Sequence, residues 1–384
     1  MSNGTQEPVE KAASRLEGIA GLRTPGSPAA SRSRPLPPLP TPPPESILIL
    51  KPSSLGDVIQ AIPVLRLLRL RFPSAHIAWW VDASLTPLLE GDRDLSEVIP
   101  FHRRELKAWR GVVGFGQSVL RMRRRRFDWV LDLQGLLRSS VVSWVANGGL
   151  TAGVDDPREG AAAFYDLAVP RPSQATHAVD WYLEVLRRVG VPTDLPFEWL
   201  PQRPAIAQSI LARWPVGDRR WICLQPGARW WNKRWPVRHF QEVVRRVAAA
   251  DPGIGFVVLG GREDKPLGQE ISGAHPGRIL DLTGELSLPE MIEWLRVADL
   301  MLTNDTGPMH AAAALGIPVV GLFGPTDPRR TGPYGQVTEA VRIPLHCSPC
   351  LKQRCRNPRS MACLEDISPE LVTRAIQSRW HPSR

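Results

Sequence analysis

No window of this 384-residue chain approaches the ~18–20 uninterrupted apolar residues that a membrane-spanning helix needs, which argues against an embedded helical protein. The N-terminus lacks the charged-then-apolar pattern of a secretory leader, so a cytosolic protein is expected. Zinc-finger spacing, ribonucleoprotein aromatics and a heptad-linked basic region are all missing, and no nucleic-acid partner is expected. Cysteine is scarce, at five residues, and four of them lie close together at Cys347, Cys350, Cys355 and Cys363. The C-x2-C spacing of the first pair, in a cytosolic setting, suggests a structural zinc site more than a disulfide framework; the later spacings are irregular, and ordinary reduced thiols are the alternative.

The chain is long enough for two domains, since single cores stop growing at roughly 250–300 residues. Residues 1–45 stand apart: they hold ten of the 39 prolines among Ser, Ala and Gly, a composition that cannot bury a core. A disordered or polyproline-like tail is expected there. The net charge of +10 is unevenly placed, because His102 to Arg126 carries nine Lys or Arg, among them Arg103, Arg104 and Lys107, against the single acid Glu105. Such a cluster suits an anionic lipid surface or a phosphorylated glycolipid, or is a solvated helix face.

Apolar runs alternate with amphipathic stretches, the pattern of parallel sheets built from β–α units. Strands are expected near Ile47–Lys51, His76–Val81, Trp129–Leu133 and Thr151–Val154, then near Trp221–Gln225, Gly255–Gly260, Arg278–Asp281, Leu300–Thr303 and Val319–Phe323. This divides the chain into an N-terminal Rossmann-like domain over 46–195, a Pro-interrupted linker over 196–204, a C-terminal Rossmann-like domain over 205–368, and a last helix within 369–384 that could cross back to the first domain. The expected fold class is α/β, two doubly wound domains facing across a cleft with loops at the strand ends.

Four loops at such ends carry chemistry. Ser53-Ser54-Leu55-Gly56-Asp57 follows the first strand and sets Asp57 at a helix start, where a carboxylate takes a proton from an attacking hydroxyl or merely complements the helix dipole. Lys233 and Arg234, flanked by Trp230, Trp231 and Trp235, follow the first strand of the second domain and suit a diphosphate. Asn304-Asp305-Thr306-Gly307 joins a strand to the small-residue helix that contains His310; Thr306 as cap and Gly307 as close-approach residue make an anion site of its amides. Glu263, in Gly260-Gly261-Arg262-Glu263-Asp264, is a candidate for ribose hydroxyls.

The segments SSLGDV (53–58), DLQGLLRS (132–139), KRWP (233–236), NDTGPMH (304–310) and FGPTDP (323–328), in that order, resemble the lipopolysaccharide heptosyltransferases of glycosyltransferase family 9. The resemblance covers essentially Ser46 to Trp380. In its first-domain wording the chain is most similar to the type I enzymes, although Ala228, Arg229, Trp230 and Trp231 stand where those carry small hydroxyl residues. The resemblance implies the GT-B fold and metal-independent, inverting transfer of L-glycero-D-manno-heptose from ADP-heptose to a Kdo-lipid A or other core acceptor. It implies Asp57 as general base, with Lys233, Thr306 and Gly307 on the donor phosphates and Asp305 and His310 orienting the heptose. Ser54, Arg103, Arg104 and Lys107 are the acceptor or anionic-surface candidates. No cofactor is implied beyond the donor, and peripheral attachment to the inner membrane follows from an anionic glycolipid acceptor. The other readings are a relative with a different nucleotide sugar or a protein acceptor, a non-catalytic anionic-lipid-binding protein, and a nucleotide-sugar epimerase.

Overall fold

The computed structural model describes residues 42–102, 109–156 and 159–380, with the backbone alone for 109–112. Most of the expected tail, to residue 41, and the candidates Arg103, Arg104 and Lys107 lie outside the described residues. The chain divides into two compact units between Pro201 and Gln202.

The first unit runs β1 (Ser46–Leu50), α1 (Leu55–Arg71), β2 (His76–Asp82), β3 (Glu97–Phe101), α2 (Trp109–Arg125), β4 (Trp129–Asp132), α3 (Leu137–Ala146), β5 (Leu150–Asp155), β6 (Leu167–Pro170) and α4 (Ala178–Arg188). Its six strands pair in parallel in the order β3-β2-β1-β4-β5-β6. Central β1 has no polar face: Ile47, Leu48, Ile49 and Leu50 are all fully buried, as a strand covered on both sides requires. Two strands, β3 and β6, go beyond the sequence expectation. Each contains a proline, Pro100 or Pro170, which a central strand excludes and a sheet edge accepts, and both lie at edges.

Arg66 of α1 ties this unit together. The residue is 5% exposed, and its guanidinium donates to both oxygens of Asp92 at 2.6 Å, to Asp94 at 2.7 Å and to the Trp199 carbonyl at 3.2 Å. The Trp199 indole returns a bond to the Ile59 carbonyl at 2.8 Å. The start of the segment expected as a linker is thereby packed into the unit, with Trp199 and Leu200 buried.

The second unit runs α5 (Pro204–Arg213), β7 (Arg220–Gln225), α6 (Val237–Ala250), β8 (Ile254–Val258), α7 (Lys265–Ser272), β9 (Ile279–Asp281), α8 (Leu288–Val297), β10 (Leu300–Asn304), α9 (Gly307–Ala314), β11 (Val319–Leu322) and α10 (Pro369–Arg379). Its parallel order is β11-β10-β7-β8-β9. Prolines open helices α5 and α7, and Gly268 inside α7 allows close approach to β9, since a Cβ there would stand 2.5 Å from an Asp281 oxygen. Helix α10 buries Val372 and Ile376 in the same core as Trp235, Phe240 and Phe256 of this unit. Among the described residues no helix is long and apolar enough to cross a membrane.

Replacing Arg66 with Ala leaves the Asp92 carboxylate, its side chain 2% exposed, without its cation. Breaking a buried pair of this kind should destabilise the first unit by about 3–5 kcal/mol, whereas Asp94→Ala, at a more exposed partner, should cost below about 1 kcal/mol. Urea unfolding followed by tryptophan fluorescence measures both, and equal effects would refute the staple.

Candidate active site

In each sheet the strand order reverses about the first strand, and the crevice beyond the carboxyl ends at such a reversal is where ligands of doubly wound sheets bind. In the first unit the reversal lies between β1 and β4. Strand β1 is followed directly by Lys51, which is 2% exposed. Its Nζ donates to the Leu133 carbonyl at 2.9 Å and sits 4.8 Å from the centre of the Tyr182 ring on α4. Asp57 stands in the first turn of α1, half-buried, and its Oδ2 accepts from the Ser54 amide at 2.8 Å and the Ser54 hydroxyl at 2.7 Å. The helix-capping role therefore belongs to Asp57 and exposed Ser54 together, and it fixes the carboxylate at the mouth of the sheet.

Asp132, fully buried, closes the DLQG turn after β4. One oxygen accepts from the amides of Gln134 at 2.8 Å and Gly135 at 3.3 Å, the other from the Tyr165 hydroxyl at 2.8 Å. Burial pushes the Asp132 carboxyl up, against the pull of these bonds, and burial beside Asp132 pushes the Tyr165 phenol up as well. Two glycines make room: Gly135 has φ +67° and lies against Val154, and a Cβ on Gly153 would stand 2.6 Å from the Tyr165 ring.

In the second unit the reversal lies between β7 and β10. Lys233 donates to Asp305 Oδ2 at 2.6 Å and lies 4.7 Å from the centre of the Trp230 ring. The Thr326 hydroxyl donates to the same oxygen at 2.6 Å. Asp305 is 6% exposed, so its charge is met by an ammonium and a hydroxyl at once. Asn304, fully buried, accepts from the Trp235 amide at 3.0 Å and donates to the Pro226 carbonyl at 2.7 Å, which locks the QPG turn to β10. Thr306 occupies the N-cap position of α9 without a side-chain capping bond, in contrast to the expectation; Gly307 opens the helix and His310 is buried in its first turn.

Lys233, Asp305, Thr306, Gly307 and His310 thus gather at one mouth. Glu263 belongs to the neighbouring loop after β8, exposed and folded back over Gly261. The acid that joins that loop to the site is Asp264, which the sequence reading passes over: it accepts from Gly261 N at 3.1 Å, faces Arg234 at 3.8 Å, and packs so tightly on Gly227 that a Cβ there would lie 2.3 Å away. Burial raises its carboxyl pKa. Only the missing side chain of Gly227 signals this contact. The three tryptophans separate: Trp230 faces Lys233, Trp231 is 51% exposed, and Trp235 is a core residue with its indole on the Ile367 carbonyl at 3.0 Å.

The four C-terminal cysteines are free thiols, half-buried. The Cys363 thiol is pushed up to about 11 by burial first and by Cys355, Cys350 and Cys347 next, which places the four in one neighbourhood. Among the described residues, no group of three or more His, Cys, Asp or Glu is set to hold a metal ion. Of the basic stretch, Arg121 and Arg123–Arg126 are exposed, and a groove of about 400 Å³ between β3 and α2, lined by Ile99, Phe101, Phe115, Arg121 and Arg125, contains none of the residues at the two mouths.

The sequence profile of glycosyltransferase family 9 (heptosyltransferase) matches residues 117–360. Lipopolysaccharide heptosyltransferase 1 of Pseudomonas aeruginosa is 28% identical over 320 residues, which cover 80% of this chain and 87% of that protein. Lipopolysaccharide heptosyltransferase 2 of Escherichia coli is 26% identical over 323 residues, covering 77% and 88%. Among solved structures, E. coli heptosyltransferase WaaC with ADP aligns with a TM-score of 0.68 and 25% identity, covering 87% of this chain and 100% of that one. The resemblance carried by the motifs is confirmed, the two Rossmann-like units are those of the GT-B class, and the chain belongs to glycosyltransferase family 9.

Proposed function

We propose that the protein transfers L-glycero-D-manno-heptose from ADP-heptose to the Kdo region of a lipopolysaccharide inner core, with inversion at the anomeric carbon. The observation that carries this reading is the Lys233–Asp305–Thr326 cluster beside the N-terminus of α9, at the switch point of the second sheet. The names and ADP ligand of the relatives supply the sugar and the nucleotide.

In the reaction an acceptor hydroxyl attacks the anomeric carbon, a new C–O bond forms, and the bond to the diphosphate oxygen breaks. Asp57 takes the hydroxyl proton, a role for which a carboxylate pinned by Ser54 is already oriented. ADP leaves with added negative charge. Lys233 has three N–H donors and gives one to Asp305, so the others serve the diphosphate without the ammonium losing its anchor. The amides and positive dipole end of α9, opening at Thr306 and Gly307, add to that stabilisation. Asp305 holds the lysine and, with His310, orients the sugar, while Glu263 is assigned to the ribose. In this reading the leaving charge is met by Lys233 and helix amides, and no metal ion is required. The exposed arginines of α2 suit an anionic acceptor and an anionic inner-leaflet surface, which supports the reading of a cytoplasmic enzyme working at the inner membrane.

The deciding experiment is ADP release by the purified chain given ADP-heptose and Kdo2-lipid A. Release should depend on the acceptor, and Asp57→Asn should lower turnover roughly 10²–10⁴-fold while ADP affinity by calorimetry stays unchanged. Acceptor-independent release, or full activity in the mutant, would end this reading.

Lys233→Met should separate binding from proton transfer. The loss of a charge-assisted contact should weaken ADP binding about 10–100-fold. If ADP binds the variant as it binds the parent protein, Lys233 does not touch the diphosphate.

A further inference from the structure

Trp230 lies beside the donor lysine, yet the proposed reaction leaves it without a task. One tight turn joins the two residues: the Lys233 amide donates to the Trp230 carbonyl at 3.0 Å, and side chains three apart in such a turn stand on the same side. The centre of the half-buried Trp230 ring accordingly lies 4.7 Å from Lys233 Nζ. The turn has anchors of its own. Asn232, 3% exposed, donates to the Lys352 carbonyl at 2.8 Å, Arg234 Nε donates to the Ala228 carbonyl at 2.8 Å, and the Trp235 amide donates to Asn304 at 3.0 Å. The neighbouring indole that fills the apolar core is that of Trp235. Other residues thus secure the path of the loop and the core beneath it, which leaves the contact between the Trp230 ring and the ammonium to be explained.

A lysine ammonium ends a flexible four-carbon stem, and a single hydrogen bond, here the one to Asp305 Oδ2 at 2.6 Å, does not fix where its other donors point. A hydroxyl or amide in the place of Trp230 would claim a second N–H. An aromatic face attracts the cation through its quadrupole and presents no lone pair, so it steadies the charge and leaves N–H groups for a phosphate oxygen. The attraction is stronger where water is partly excluded, and the Lys233 side chain is 17% exposed. We propose that Trp230 is a positioning residue for the donor lysine: its ring face and the Asp305 carboxylate hold the Lys233 ammonium between them, with its remaining donors turned to the diphosphate. This rests on the reading of Lys233 as a diphosphate contact. Since the ring acts through the lysine, its worth for ADP binding must disappear when the ammonium is gone.

The test is a double-mutant cycle on the full chain, with ADP affinity measured by calorimetry for the parent, Trp230→Leu, Lys233→Met and the double variant. Trp230→Leu should weaken ADP binding about 3–10-fold, and Trp230→Phe, which keeps an aromatic face, should recover most of that loss. In the Lys233→Met background the same Trp230→Leu change should cost less than about twofold. Equal losses in the two backgrounds overturn the proposal, because a ring that touched the nucleotide itself or merely supported the loop would count the same with or without the ammonium. Should Trp230→Leu fail to fold, phenylalanine and pentafluorophenylalanine at position 230 decide: the two rings are close in shape, but fluorination removes the negative face. Weaker ADP binding by the fluorinated protein supports the proposal, and equal binding refutes it. If Lys233→Met alone binds ADP as the parent does, the diphosphate reading of Lys233 falls and takes this proposal with it, a result distinct from two real losses that simply add.

Discussion

A strand covered on both faces has no side of its own on which to carry a polar group, and this constraint decides where the protein keeps its chemistry. Ile47 to Leu50 in β1 and Ile222 to Leu224 in β7 are fully buried and apolar throughout. Polar side chains are therefore crowded to the places where these strands and their neighbours stop. Lys51 and Asp132 mark the ends of β1 and β4; Gln225, Asn304 and Asp305 mark those of β7 and β10. Because these positions are still buried, each group needs a partner, and the partnerships fix the loops in which the functional residues stand.

The two mouths solve the burial of charge differently. In the first, a cation is held by a carbonyl, a phenol and carboxylates at longer range, so no single contact neutralises it. In the second, Lys233 and Asp305 meet directly and Thr326 completes the acid's shell. An enclosed ion pair is weak evidence for stability, since apolar residues of the same volume often serve as well or better. Its presence at a strand switch point makes sense as a device for keeping an ammonium charged and aimed.

Much of this was legible in the sequence, and the reasons for the gaps are physical. Nine of the eleven strands show as apolar runs free of proline. β3 and β6 hide because edge strands tolerate residues that central ones reject, and α7 hides because Pro266 and Gly268 mimic a loop while serving helix start and close packing. The phosphate-facing residues Lys233, Asp305, Thr306 and Gly307 stand out because their motifs are contiguous or sit at helix starts. Lys51, Tyr182 and Asp264 do not, since their meaning comes from partners far away in the chain: Lys51 meets Leu133 and Tyr182, and Asp264 meets Gly227. Trp235 misleads in the opposite sense, lying two residues from Lys233 in sequence yet belonging to the core.

The clasp made by Asn304 reaches further than local geometry. Its two bonds hold Pro226 and the Trp235 amide, so the loop that carries Lys233 is anchored at both ends to β10. The exposed residues between those anchors, Arg229 and Trp231, are free to vary by descent without displacing the lysine. A lineage could reword that stretch to accommodate a different sugar and keep its grip on the diphosphate throughout, so that new specificity would arise without passing through an inactive ancestor.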